Sequence, residues 1–526
     1  MRPIVPLSIE SDPWRALLSR PDIRMVDGIL HVVDDGSTPA DAERDDLLTV
    51  AAAIEAAGVR VLLVRDANRR PKLVVDTADS IAALTALRDP ELGPVYLKAR
   101  GEDPVPAHSV DAAPGAVAAY AVFRPRTSTE GSYRYGAPLA PRLELWRFGS
   151  SVVEAPRPSA MTRRVFATED LDLAEVERYG RRWTTVDGMF DPHPNEVVDE
   201  IDMVFSWVDG SSSEFQRQRA ARMKGYVVGD GDDNAARYRQ VDELRYALRS
   251  VHMYAPWVRR IFIATDSPRP DWLADHPKVT IVRSEEFFAD PSVLPTHNSH
   301  AVEAQLHRIP GLAEHFLYSN DDMFFGRPVE PELFFSGGGV SRFVESGVRI
   351  GSGPAHVGRS GHDNGLRVNR ALLREKFGRV ITLDLEHCAT PLRRSIAAEL
   401  EQEFAEDYAR TAASRFRSAT DISVTNSLYH HYALATGRAV ITTQPRTRYV
   451  QTTQLDSLRR MERLVTRRDI DMFCLNDGSV PEIPEEVRVP ALRACLERYF
   501  PVAAPWEVAS VSAGSAGASS AATPAH

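Results

Sequence analysis

A chain of 526 residues exceeds what one ordinary core accommodates, since domains run to about 100–200 residues, so two or three folded units are expected. Its 43% hydrophobic and 26% charged residues exclude wholesale disorder, and a formal net charge of −10 excludes a protein that works by neutralising a nucleic-acid backbone. Three cysteines, Cys388, Cys474 and Cys495, have no short spacing, which excludes a disulfide framework or thiolate metal centre and fits a reducing compartment.

From Met1 to Arg20, Pro3, Pro6, Glu10, Asp12 and Pro13 break up any signal-peptide-like apolar stretch. No later segment holds about 20 consecutive apolar residues, so a cytoplasmic protein without a transmembrane segment is expected, with peripheral membrane association and homo-oligomerisation left open. Between Gly28 and Asp66 the pattern predicts a strand at Ile29–Val33, an alanine-rich helix through Ala57 and a strand at Val59–Val64. Short strands follow at Lys72–Val75, Val95–Lys98, Ala116–Phe123 and Arg142–Phe148, punctuated by proline and glycine. Residues 1–195 are therefore expected to form an accessory α/β domain without a catalytic constellation.

After Asp191-Pro192-His193-Pro194 the texture changes, and 196–508 is expected to be the catalytic domain. Ile201–Val208 predicts a buried strand ending at Asp209-Gly210-Ser211. Arg237–Tyr254 predicts a helix with Leu244, Ala247, Leu248 and Val251 on one face, Asp242 and Glu243 at its positive end, and Pro256 as its stop. Strands are expected at Arg260–Thr265, Val279–Val282 and His315–Ser319, and a helix at Asn298–Ile309 before Pro310-Gly311. Strands separated by helices imply an α/β fold with a mainly parallel sheet covered on both faces. Residues 509–526, rich in Ala, Ser and Gly, are expected to be a disordered tail.

Ligands of such sheets bind beyond the carboxyl ends of the strands, and three of these strands end in acids: Asp209, Asp266 and the pair Asp321-Asp322. Asp209-Gly210 alone reads as a turn. Two adjacent carboxylates beside an apolar strand and Met323-Phe324-Phe325 must be desolvated against one another unless a cation or basic group offsets them, and a hard cation such as Mg²⁺ takes such oxygens together with substrate phosphates. Arg415 and Arg417 precede an expected helix near Thr420-Asp421, where a guanidinium fork makes a good phosphate clamp, although residue type alone reads them as arginines on a solvated loop. Of 15 histidines, His297, His300, His362 and His387 are candidates that residue type does not separate. Asn369, Arg370 and Arg374 are candidates for phosphate or acceptor contacts, and Asn476-Asp477-Gly478 reads as a turn.

The segment Asp202–Ser211 resembles the first signature block of the Stealth family, which includes bacterial capsular polysaccharide phosphotransferases and the catalytic subunit of lysosomal-enzyme N-acetylglucosamine-1-phosphotransferase. Arg239 with Asp242–Tyr246, Tyr254–Val258, Leu294–Glu303, His307–Leu312 and Asn320–Asp322 resemble the second block. His387 with Pro391, at a looser spacing, resembles the third. Arg415–Ser418 ahead of Asp421-Ile422, with Phe473–Asp477, resembles the last. The likeness covers about Ile201–Phe500. It implies a Rossmann-like fold related to the GT-A glycosyltransferases, a UDP-sugar donor, a glycan acceptor, and Mg²⁺ or Mn²⁺ held by Asp321 and Asp322. It further implies Asp322, His387 and Arg417 as catalytic residues. The nucleotide would lie against Trp207, Asp209, Gly210, Arg239, Asp242, Arg245, Asn298, Ser299 and Arg415. The reaction implied is transfer of hexose-1-phosphate to a hydroxyl with release of UMP; the alternatives are a glycosyltransferase that releases UDP and a non-catalytic glycan-binding scaffold.

Overall fold

The structure, a computed structural model, describes residues 13–110, 115–210, 241–478 and 481–508. Two sheets dominate it. The first is a ten-stranded mixed sheet whose main path runs Leu173–Arg178, Arg181–Val186, Leu62–Arg65, Pro71–Asp76, Arg142–Phe148, Ala118–Phe123, Tyr96–Lys98 and Val105–Pro106. Helix Pro39–Ala56 packs on it through Leu47, Val50, Ala51 and Ile54. That helix starts cleanly because the Thr38 hydroxyl accepts from the Asp41 N–H while Asp41 accepts from the Thr38 N–H, with Pro39 pre-set at the first helical position.

The second sheet contains the strands that end in acids. Its order is Val279–Val282, Ile261–Ala264, Ile201–Ser206, His315–Asn320 and Thr390–Arg393, with the first four strands parallel and the last antiparallel. The chain is thus α/β with a mainly parallel sheet, as its apolar runs predict. Alternation along Ile201–Ser206 explains the two covered faces. Met203 and Phe205 share a core with Leu244, Ala247, Leu248 and Val251 of helix Glu243–Tyr254. Val204 faces the opposite core with Phe262, Phe316, Ala301, Leu366 and Tyr429. Asp202, fully buried in the same strand, is held by Arg259 at 2.6 Å and accepts the Ala313 N–H at 2.7 Å, so it pins the strand's start rather than serving a ligand.

Strand order reverses between Ile201–Ser206 and His315–Asn320, which makes their carboxyl ends the crevice where open α/β sheets bind ligands. At that point the chain leaves the sheet. Asp321-Asp322 turns directly into strand Met323–Phe325 of a three-stranded sheet, paired with Met472–Asn476, which in turn pairs with Thr447–Gln451. The acid pair therefore lies on the seam between two sheets.

Several elements differ from expectation. The helix expected from Arg237 is described only from Glu243, after residues 211–240 that lie outside the described set, and Asp242 precedes it in a left-handed conformation, φ 60°. Asn298–Ile309 divides into helix Ser299–Glu303 and a 3-10 turn Leu306–Arg308. No helix begins at Thr420-Asp421; the chain there is irregular up to a π-helical turn at Val424–Leu428, followed by helix Tyr429–Ala435. The expected tail, 509–526, lies outside the described residues. Among the described residues no helix is long and apolar enough to cross a membrane.

Candidate active site

Asp322 anchors the site. Its Oδ2 accepts from Asn476 Nδ2 at 3.0 Å and from the Cys474 thiol at 3.4 Å, while its Oδ1 is buried with no hydrogen-bond partner among the described residues. Asn476 is in turn held by the Tyr449 hydroxyl, which donates to its Oδ1 at 3.0 Å, so its amide must present nitrogen to Asp322. Burial, with Asp322 and Glu243 nearby, pushes the neighbouring Asp321 carboxyl well above the usual carboxylate range. An orphaned carboxylate oxygen beside a second acid that resists ionisation fits a divalent cation, which would take these two carboxylates together with donor phosphates. Among the described residues there is no cluster of three or more His, Cys, Asp or Glu side chains arranged to hold a metal.

His387 stands close enough to Asp322 for that carboxylate to favour its charged form, although burial, the larger effect, lowers its basicity overall. Its ring lies 5.0 Å from Tyr449 and 6.2 Å from His362, centroid to centroid. His362 Nε2 is 2.8 Å from Asp384 Oδ2; burial raises the Asp384 carboxyl, but the hydrogen bond from His362 outweighs it and holds the group below the usual carboxylate range.

Arg417 reaches the crevice from the other side. Its guanidinium donates to Ser299 Oγ at 2.8 Å, at the start of the short helix beside the sheet edge. A buried polar chain continues inward. The Glu303 carboxyl is bonded by Thr425 at 2.6 Å and by Ser299 and Tyr318, and the Tyr318 hydroxyl sits 2.7 Å from Ser206 Oγ and 2.8 Å from Asn320 Oδ1. Burial raises the Glu303 pKa, opposed by Thr425 and Arg417. Ser206 and Asn320 are the last residues of the two strands flanking the reversal, so hydrogen bonds link Arg417 to the crevice.

The expected nucleotide residues are placed unequally. Trp207, Asp209 and Gly210 follow the first strand at the crevice; the Trp207 N–H donates to Ala264 O, and the Asp209 N–H to Ser267 Oγ at 2.8 Å. Arg239 lies outside the described residues. Asp242 sits at the helix start beside Glu243. The remaining residues have protein partners in this structure. Arg245 donates Nε to Glu507 at 2.6 Å in a cluster with Arg249, tying its helix to the carboxyl-terminal segment. Asn298 is buried, and its amide nitrogen reaches Ser414 O at 3.0 Å and Asp421 Oδ2 at 2.8 Å while its oxygen caps the His300 N–H. Asn298 thus clamps the 414–421 loop, and Ser299 receives Arg417. Arg415 is exposed, contributes its backbone carbonyl to the His297 N–H, and is not followed by the helix start expected at Thr420-Asp421. Asp266 caps the Ser284 N–H at 2.8 Å. Asn369 is spent on the Ser423 backbone and Arg370 on the carbonyls of Gly351 and Gly353.

These residues fall within recurring blocks of sequence. Residues 199–227, 237–343, 386–434 and 462–514 match Stealth protein conserved regions 1, 2, 3 and 4 in order. A Mycobacterium tuberculosis protein named exopolysaccharide phosphotransferase CpsY is 49% identical over 494 residues, 91% of each chain. The chain belongs to the Stealth family. A Nocardia farcinica exopolysaccharide phosphotransferase is 50% identical over 496 residues, 92% of this Stealth chain and 91% of the relative. One from Streptomyces coelicolor is 39% identical over 490 residues, 89% and 83% of the two chains. A solved galactosyltransferase, LgtC with donor and acceptor sugar analogues, aligns with 58% of this chain and 96% of its own at 12% identity and a TM-score of 0.29, too remote a likeness to bear on the site. Within the Stealth blocks, Asp321 and Asp322 belong to region 2, His387 and Arg417 to region 3, so that the Arg415–Ile422 segment falls in the third block rather than the last as expected, and Cys474 and Asn476 to region 4. His362, Asp384 and Tyr449 lie between blocks.

Proposed function

We propose that this Stealth protein is a metal-dependent sugar-1-phosphate transferase in exopolysaccharide synthesis, moving hexose-1-phosphate, with N-acetylglucosamine as the favoured sugar, from a UDP-sugar to a glycan hydroxyl. The observation that carries the reading is Asp322 at the strand-order reversal, one oxygen orphaned, within electrostatic reach of His387. The names of the relatives and the GT-A relationship implied by the Stealth resemblance support it.

Phosphoryl transfer needs positioning and charge stabilisation more than covalent help from the protein. Asp321 and Asp322 would hold a divalent ion, which when bound would supply charge neutralisation on the leaving phosphate. His387, little protonated at neutral pH because burial lowers its basicity, takes the proton of the acceptor hydroxyl. The acceptor oxygen bonds to the sugar-linked phosphorus, the phosphoanhydride bond breaks, and UMP leaves with the bonding pair. Arg417 faces the charge that spreads over the transferred phosphoryl oxygens, its guanidinium oriented by Ser299.

Phosphorus NMR of products from purified protein, a panel of UDP-sugars and an oligosaccharide acceptor tests the assignment. A new phosphodiester resonance with stoichiometric UMP is expected. UDP without a phosphodiester would instead mean attack at the anomeric carbon and a conventional glycosyltransferase, and no turnover with any donor would favour a scaffold.

A further inference from the structure

The reaction above leaves a proton on an imidazole that is mostly enclosed. His387 is walled by Tyr449 on one side and lies near Asp322, and it must lose its proton before the next acceptor binds. The second imidazole, His362, sits 6.2 Å away between ring centroids. Its side chain is 36% exposed whereas that of its partner Asp384 is 10% exposed, so the pair runs from the interior to solvent.

We propose that His362, oriented by Asp384, relays to solvent the proton that His387 takes from the acceptor hydroxyl, both residues acting through His387 rather than on the substrate. Asp384 is itself fixed. Its Oδ1 accepts the Leu385 N–H at 2.8 Å while Oδ2 takes His362 Nε2, so the carboxylate sets the tautomer and leaves His362 Nδ1 as the atom that accepts and releases the proton. The carboxylate also stabilises the transient imidazolium. Backbone geometry supports the placement: His362 follows Gly361, whose missing side chain lets Arg417 lie against the same helix start, so the relay adjoins the transfer centre. The proton is conserved throughout, passing from acceptor oxygen to His387, through water to His362 Nδ1, and out to buffer.

This inference rests on the proposed base role of His387, and the experiment separates the two. In the full-length enzyme, His362→Gln keeps a hydrogen-bond donor to Asp384 but carries no proton. Its kcat is expected to fall roughly tenfold with KM for the UDP-sugar unchanged, and millimolar imidazole in the buffer should restore it. Asp384→Asn should lower kcat in the same direction with weaker rescue, giving an independent check should one variant fold poorly by thermal melt. Wild-type kcat in His362→Gln, or a loss that imidazole does not touch, overturns the relay. Full turnover by His387→Ala would overturn the underlying reading instead.

Discussion

At the scale of single residues, the two adjacent acids divide their work. Asp322 is tethered through Oδ2 by Asn476 and Cys474 and offers Oδ1, whereas Asp321 is driven toward its neutral form by burial and by the charges of Asp322 and Glu243. Asp322→Asn preserves shape, so it should reduce turnover by roughly 10²–10³-fold while leaving the melting temperature nearly unchanged, as measured by steady-state kinetics and calorimetry on the same preparation. A variant that unfolds, or one with unimpaired turnover, removes Asp322 from the centre of the site. The acid pair was legible in the sequence because adjacent carboxylates beside an apolar strand are costly without a counter-charge. The clamping contacts of Asn298 were not legible for a physical reason: a polar residue at a helix start looks the same whether it faces a ligand or caps and clamps, and its bonds to Ser414 and Asp421 appear only in the fold. His362 could not be singled out, since its partner lies 22 positions further along and neither residue carries local periodicity.

At the scale of elements, Arg417 is held by a loop rather than by the helix start expected at Thr420-Asp421. That loop is fixed at both ends: Asn298 gathers Ser414 and Asp421, and helix Gly361–Phe377 begins with a glycine against which the Arg417 side chain packs. A Cβ at position 361 would lie 2.6 Å from Arg417 Cδ and 2.7 Å from its Cβ, contacts that the root of a side chain cannot relieve by swinging away. Gly361→Ala should therefore displace Arg417 and lower kcat by roughly tenfold or more, whereas Gly378→Ala at the far end of the same helix, with φ 66° and open space around it, should cost stability by about 1 kcal/mol and leave kcat intact. The parallel strands were readable from the sequence as short, continuous apolar runs ending in polar residues. The hairpin Leu173–Arg178 and Arg181–Val186 was not, because it lies at one side of its sheet with Leu173, Glu175, Glu177 and Arg178 exposed, so no apolar stripe announces it.

At the scale of the whole molecule, the amino-terminal sheet and the catalytic sheet are joined rather than strung together. Arg65 binds Glu196, Arg69 binds Glu332 at 2.9 Å, Arg468 lies 4.4 Å over the Tyr133 ring, and helix Pro39–Ala56 contacts helix Glu243–Tyr254. Glu43 occupies this junction, close enough to Arg70, Glu330, Asp66 and Asp46 to feel their charges, and its Oε1 is buried with no hydrogen-bond partner among the described residues. Burial is the largest influence on it, Arg70 opposes that, and the three acids reinforce it, leaving the carboxyl pushed up to about 7. A carboxyl whose folded value lies above its unfolded one adds no penalty below about pH 4.5, and its ionisation then erodes stability as pH rises to about 7, by about 3 kcal/mol in full. Glu43→Gln removes the titration while keeping the shape. The variant should match wild type near pH 4.5 and melt about 2–5 °C higher at pH 8, a crossover that calorimetry across pH reads directly. Equal melting temperatures throughout would mean that the junction admits enough water to solvate the charge. Since the junction helix touches the helix whose first residue, Glu243, acts on Asp321, stability and donor affinity should be measured together in this variant. A gain in stability without a change in KM is the expected pattern if the amino-terminal unit braces the catalytic sheet without touching its crevice.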